Sequence, residues 1–303
     1  MKQRIATAAV LIPLALLIVG STSPLPISIA AMTLAAIGVY ELAGMFGQKR
    51  VLPVLTLGSI ALPFYSVFVV KGHQIADFLV ISGLFFLLGT IMVATSAKSR
   101  KVGSSVIDIG GLWISMPLLA LIALHELHLA APGVHGRPAW QFESPALLVL
   151  IPVWAGDTVA IFVGKAFGRH QLTRISPGKT VEGALGNLFA AVLASWGIGI
   201  LVHVPLTVSL TCGVFAGVLG QCGDIFQSYL KRRAGVKDSG RLLPGHGGLL
   251  DRIDSVLFDA IPIAILVYFG PSWLHKLHAG RTNSSTSETI RVDEKGARIV
   301  GGG

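Results

Sequence analysis

The sequence has 303 residues, of which 52% are hydrophobic and only 13% charged, with a mean hydropathy of +0.73. Soluble domains carry about 25% charged residues, so half that fraction excludes an ordinary soluble enzyme. The net charge of +9 admits nucleic acid, an anionic membrane surface or anionic substrates as partners, and no nucleic acid is expected because the basic residues fall in short loops between apolar runs, not on one soluble face.

A bilayer-spanning helix needs about 20 mainly apolar residues. The apolar runs predict an all-α, polytopic integral membrane protein with about nine transmembrane helices, at roughly 4–20, 26–45, 52–70, 77–95, 104–127, 145–168, 183–204, 207–230 and 256–274. The opening Met1-Lys2-Gln3-Arg4 has the form of a signal-peptide start, but a second span follows almost at once, so it reads as an uncleaved first helix. The seventh and eighth spans are separated only by a turn at Pro205. Residues 1–140 hold the N-terminal transmembrane helices, 141–275 a catalytic transmembrane region with its loops, and 276–303 a polar tail with too few apolar residues to order itself. Cys212 and Cys222 sit in apolar surroundings and read as small hydrophobes, with neither a disulfide nor a thiolate metal site implied.

With the N-terminus inside, most Lys and Arg residues fall on one side, and the opposite loops keep only Lys71 and Arg137. Basic loops mark the cytoplasmic face. Nine spans would leave the basic tail outside, which fits that rule poorly.

Polar residues crowd into two places. The first runs from Trp154-Ala-Gly-Asp157-Thr158 through Gly164-Lys165 and Gly168-Arg169 into Ile175-Ser176-Pro177-Gly178-Lys179-Thr180-Val181-Glu182-Gly183. Gly178-Lys179-Thr180 is not a P-loop, because that motif needs a glycine where Thr173 stands. The segment reads instead as a short phosphate-contacting loop. The second runs from Gly220-Gln221-Cys222-Gly223-Asp224 to Asp254.

Asp157 and Asp224 interrupt apolar runs. A carboxylate at the bilayer centre costs about 2.5–3.5 kcal/mol on insertion scales, so each needs a partner: a metal or substrate, or a structural Lys or Arg. Asp224, Ser228 and Lys231 follow the i, i+4, i+7 spacing of one helical face, which suits a cation beside a phosphate; a polar seam between helices is the structural alternative. The glycines at 213, 217, 220 and 223 read as a surface for close helix approach. Hard cations such as Mg²⁺ take oxygen ligands and keep waters. Asp224, Asp251 and Asp254 are the candidate metal ligands, and no Cys or His cluster suggests zinc. His246, between glycines in Pro244-Gly245-His246-Gly247-Gly248, is either structural or a catalytic or phosphate contact.

These residues resemble the phosphatidate cytidylyltransferases. The family's signature is Ser-x-apolar-Lys-Arg, four residues, Lys-Asp, then Pro-x-His-Gly-Gly and Asp-Arg-x-Asp. Every fixed position is present between Ser228 and Asp254. Gly156-Asp157 and the run from Ser176-Pro177 through Lys179-Thr180 to Glu182-Gly183 are also similar, so the likeness covers about 145–260. Gly178 stands where a second basic residue is expected. The resemblance implies transfer of the cytidylyl group of CTP to phosphatidate, giving CDP-diacylglycerol and pyrophosphate, with two metal ions near Asp224 and Asp251. The candidate catalytic residues are Asp224, Asp251, Lys231 and His246; Lys179, Lys231, Arg232, Lys237 and Arg252 are the candidate phosphate contacts, and Ser228 is a further candidate binding residue. One substrate being a lipid and the other water-soluble, the site belongs near the cytoplasmic interface; a bacterial inner membrane is expected, with an organelle membrane as the alternative, and homodimerisation is left open.

Three other readings fit part of the pattern. A transporter or channel explains intramembrane carboxylates, but matched broken helices in two repeats are not visible. A CTP-dependent lipid kinase is the nearest alternative among enzymes; it also consumes CTP but leaves CDP instead of pyrophosphate. A lipid-binding scaffold needs the basic loops but not the carboxylates.

Overall fold

The computed structural model describes residues 2–47, 74–96, 104–129, 142–242 and 247–270. Among them lie eight helices: α1 (Lys2–Val19), α2 (Pro24–Met45), α3 (Gln74–Ser96), α4 (Ser104–Leu129), α5 (Leu147–Phe167), α6 (Val181–Leu201), α7 (Leu206–Arg233) and α8 (Leu250–Gly270). The described residues contain no strand; Gln171 and Thr180 form an isolated antiparallel bridge. Helix is the form in which a lipid-embedded segment satisfies its own backbone polar groups. Pro13, Pro117 and Pro152 lie inside α1, α4 and α5; each frees a carbonyl, which neighbouring helices and side chains in a membrane bundle can satisfy.

Six described helices are long and apolar enough to cross a bilayer: α2, Gly110–Leu127 of α4, and α5 to α8. Shorter apolar stretches occur in α1 (Ala9–Val19) and α3 (Ser82–Val93). The expected span at 52–70, the polar tail at 276–303 and His246 lie outside the described residues. Elsewhere the expected spans and the helices coincide to within a few residues, except the last. It begins at Leu250, six residues earlier than expected, and takes Asp251, Arg252 and Asp254 into its first turns. Carboxylates belong there, because the free N–H groups of a helix start favour negative charge.

Local signals set the other ends. Ser23 caps α2 by accepting from Leu25 N, and Thr180 caps α6 by accepting from Gly183 N at 3.1 Å. The α6–α7 turn is made at His203, with φ 56°, followed by Pro205 as the residue before α7.

Close approach of α7 to its neighbours positions everything that follows. A Cβ on Gly213 or Gly217 would collide with the α6 backbone at Val192 or Leu188. On the same helix further along, a Cβ on Gly223 would collide with the Asp254 carbonyl of α8. The expected small-residue surface is therefore used twice, against α6 and against α8. Gly223→Ala should destabilise the fold by about 1–3 kcal/mol, as overpacking does, and thermal unfolding in detergent checks this.

The helices of 1–140 and those of the later region share one core. Trp113 of α4 stacks on Phe86 of α3 at 6.4 Å and meets Phe226 of α7 edge-on at 5.4 Å. Phe258 of α8 closes the group, 5.2 Å from Phe86 and 5.5 Å from Phe226. Apolar side chains also face outward, among them Leu185, Phe189, Leu193, Trp196 and Ile200 along α6. In a chain of this composition such a stripe is the surface that meets lipid.

Candidate active site

The charged part of the site is assembled from the α5–α6 and α7–α8 loops and from helices α5 to α8. The loop between α5 and α6 folds back on itself, with Leu172 N donating to Lys179 O at 2.9 Å and Val181 N to His170 O at 2.9 Å. Glu182, in the first turn of α6, gathers the other arm: its carboxylate accepts from Arg169 N at 3.1 Å, His170 N at 3.3 Å and His170 Nδ1 at 2.7 Å. Glu182 thus braces the loop. The braced loop presents Lys179 to Asp224 of α7, Nζ to Oδ2 2.5 Å.

On α5, Asp157 accepts from Asn187 Nδ2 of α6 at 3.1 Å. Its charge is felt by Asp224, Lys179 and Arg252. Because Gly223 admits the α8 backbone, Asp254 comes within electrostatic reach of Asp224, Asp157 and Lys231. One turn beyond Ser228, Lys231 donates to Asp251 Oδ1 at 2.7 Å, and both side chains are largely buried, 12% and 5% exposed. The second oxygen, Asp251 Oδ2, accepts from Ser239 N at 2.9 Å and Gly248 N at 3.1 Å. Asp251 therefore fixes Lys231 and two loop amides at once.

These groups open onto a cavity of about 1020 Å³. Part of its wall is apolar, built by Leu11, Leu14 and Ile18 of α1, Leu34 of α2 and Leu121 of α4. Another part is charged: Asp157, Lys179, Asp224, Lys231, Asp251, Arg252 and Asp254. A cavity with both walls can take a ligand that is a lipid at one end and an anion at the other.

The structure brings most of the sequence-predicted residues to this cavity, but not all. Ser228 is 8% exposed and does not line it. Arg232 turns back to donate to Val236 O at 3.2 Å, and Lys237 is exposed; neither lines the cavity. Three polar groups gain a role only from the structure. Asn187 holds Asp157, and Gln221 donates to Ala184 O across the α6–α7 contact and to Gly217 O of its own helix. The third is Glu41 of α2, 4% exposed, which accepts from Ser239 Oγ, Leu249 N and Leu250 N.

Fold and site together define a polytopic, all-helical membrane protein whose charged residues converge on one cavity reaching from apolar to polar surroundings. The sequence profile of the cytidylyltransferase family matches residues 2–269. The chain belongs to that family. The likeness is thus wider than the 145–260 read from motifs, since the apolar N-terminal helices are included. Similar proteins include the phosphatidate cytidylyltransferase of Bacillus subtilis strain 168, 34% identical over 270 residues, covering 85% of this chain and 94% of the relative. That of Helicobacter pylori strain J99 is 32% identical over 278 residues, covering 90% and 94%. That of Pseudomonas aeruginosa is 33% identical over 302 residues, covering 90% and 98%.

Proposed function

We propose that the protein joins CTP to phosphatidate, forming CDP-diacylglycerol and releasing pyrophosphate. The observation that carries this is a cavity that has both an apolar and a charged wall, in a chain whose relatives bear the name phosphatidate cytidylyltransferase. The acyl chains would run along α1, α2 and α4, and the phosphates of both substrates would meet at Lys179, Lys231 and Arg252. A phosphatidate phosphate oxygen attacks the α-phosphorus of CTP. The bond from that phosphorus to the bridging oxygen of the β-phosphate breaks, and pyrophosphate leaves with the electron pair. Such transfers rest on positioning and charge stabilisation, with no covalent enzyme intermediate needed. Lys179 and Lys231 each lie beside a carboxylate where an incoming phosphate can compete for the ammonium.

The donor set suits Mg²⁺. Asp224, Asp251 and Asp254 offer oxygen alone, with no thiol or imidazole beside them among the described residues. There, no three acidic, His or Cys groups close on one point. An ion would take one or two carboxylates and complete its shell with waters and substrate phosphate, as Mg²⁺ commonly does. When bound, it would neutralise charge on the attacking and leaving oxygens. Arg232 and Lys237, at the polar end of α7, are proposed to meet the nucleotide on its way in, and His246 is proposed as a further phosphate contact.

A cytoplasmic site in a bacterial inner membrane is part of the same proposal, because CTP is water-soluble and the loops at 169–182 and 231–252 are the basic ones. Cysteines placed singly in either loop should be protected from an impermeant reagent on intact cells; labelling from outside would defeat this topology. The reaction itself is tested with purified protein in mixed micelles of phosphatidate and CTP. A Mg²⁺-dependent, equimolar appearance of CDP-diacylglycerol and pyrophosphate is expected. Release of CDP in place of pyrophosphate would favour a CTP-dependent lipid kinase.

A further inference from the structure

Glu41 is a carboxylate in a run of apolar residues on α2, far in sequence from the charged wall. At 4% exposure it is buried, and burial of an ion is costly unless donors surround it. Three do. Oε1 accepts from Leu249 N at 2.9 Å, and Oε2 accepts from Leu250 N at 2.8 Å and Ser239 Oγ at 2.9 Å. Leu249 and Leu250 stand at the start of α8, where backbone N–H groups lack intrahelical partners. Glu41 therefore caps α8 from another helix.

The same two segments hold Asp251. Ser239 gives its hydroxyl to Glu41 and its N–H to Asp251 Oδ2; Gly248 gives its N–H to that oxygen one residue before Leu249 binds Glu41. No side chain fits between them. A Cβ on Gly240 or Gly248 would collide with the Glu41 carboxylate. Two carboxylates thus grip one pair of strands of chain, and the second of them carries Lys231 at 2.7 Å.

We infer that Glu41 is a positioning residue for the reaction: it sets the start of α8 and Ser239 so that Asp251 holds Lys231 at the cavity wall. The inference rests on the cytidylyl-transfer reading. Glu41→Gln keeps the size but offers one acceptor oxygen, so an NH₂ group must face a backbone N–H. Loss of such a supporting partner typically costs about 10- to 100-fold in activity, and a kcat decrease of that size is expected with the KM for CTP changed less. The decisive readout is the pairing with Lys231. If Glu41 acts through it, Glu41→Gln in a Lys231→Ala background should lower the residual rate by under about twofold, since residues acting as one unit are strongly non-additive. Losses that multiply, or wild-type kcat in folded Glu41→Gln protein, would overturn the inference. Should Glu41→Gln not fold, Ser239→Ala removes one link of the same chain, and a smaller kcat loss that also vanishes in the Lys231→Ala background is expected. A wild-type protein that makes no CDP-diacylglycerol would reject the proposed reaction instead. In that case amide hydrogen exchange at Leu249 and Leu250 still decides the cap: faster exchange in Glu41→Gln supports it, and unchanged protection removes it.

Discussion

Asp251→Asn should lower CDP-diacylglycerol formation per folded molecule by about 10³-fold, the scale seen when a preorganised charge-stabilising contact is lost. Asp251 Oδ1 holds Lys231, and Oδ2 takes the N–H groups of Ser239 and Gly248. An asparagine has one oxygen to offer. Whichever way the amide turns, its NH₂ faces either an ammonium or two backbone donors. Lys231 would be left charged and only 12% exposed, and breaking a buried pair by removing one partner costs about 3–5 kcal/mol. The variant should therefore show two losses: a lower unfolding temperature, and a rate that no Mg²⁺ concentration restores. Near-native turnover across a Mg²⁺ titration would remove Asp251 from the site.

Asp224→Asn should also reduce turnover, by about 10²- to 10³-fold, but with little change in stability. Its partner Lys179 and its own side chain are 22% and 37% exposed, and ion pairs open to solvent contribute little to folding. What is lost is a charge beside Asp254 and Asp157 on the cavity wall. If Asp224 holds a cation, the apparent Mg²⁺ requirement should rise as well. The double variant with Asp251→Asn should be little worse than the poorer single one. A wild-type rate with wild-type Mg²⁺ dependence would show that Asp224 only pairs with Lys179.

Much of this was legible in the sequence because lipid imposes a simple rule on helices. Long apolar runs gave the described spans, and the glycines of α7 marked close approach before any neighbour was known. Asp157, Asp224 and Asp251 stood out as carboxylates in or beside apolar runs, and the structure places all three on the cavity wall. The misses have physical causes. The start of α8 was placed late because Asp251, Arg252 and Asp254 are polar, and hydropathy cannot see that a helix start welcomes carboxylates. Ser228 shares a helical face with Asp224 and Lys231, yet close packing buries it. Spacing gives a direction around the helix axis but not what stands opposite. Glu41 carries the same signal as Asp157, a lone carboxylate in an apolar run, but its partners lie far along the chain, Ser239 at a separation of 198 residues, where no local pattern reaches. Asn187 was hidden for a similar reason: a single amide acquires meaning only once Asp157 is beside it.

The most direct test of cytidylyl transfer follows each phosphorus of CTP. Purified protein is given phosphatidate, Mg²⁺ and CTP labelled at either the α- or the γ-phosphate. Label from the α-position should enter the lipid fraction, and label from the γ-position should appear in pyrophosphate, in equal amounts. Label from the γ-position in the lipid, or no α-label there, would contradict cytidylyl transfer.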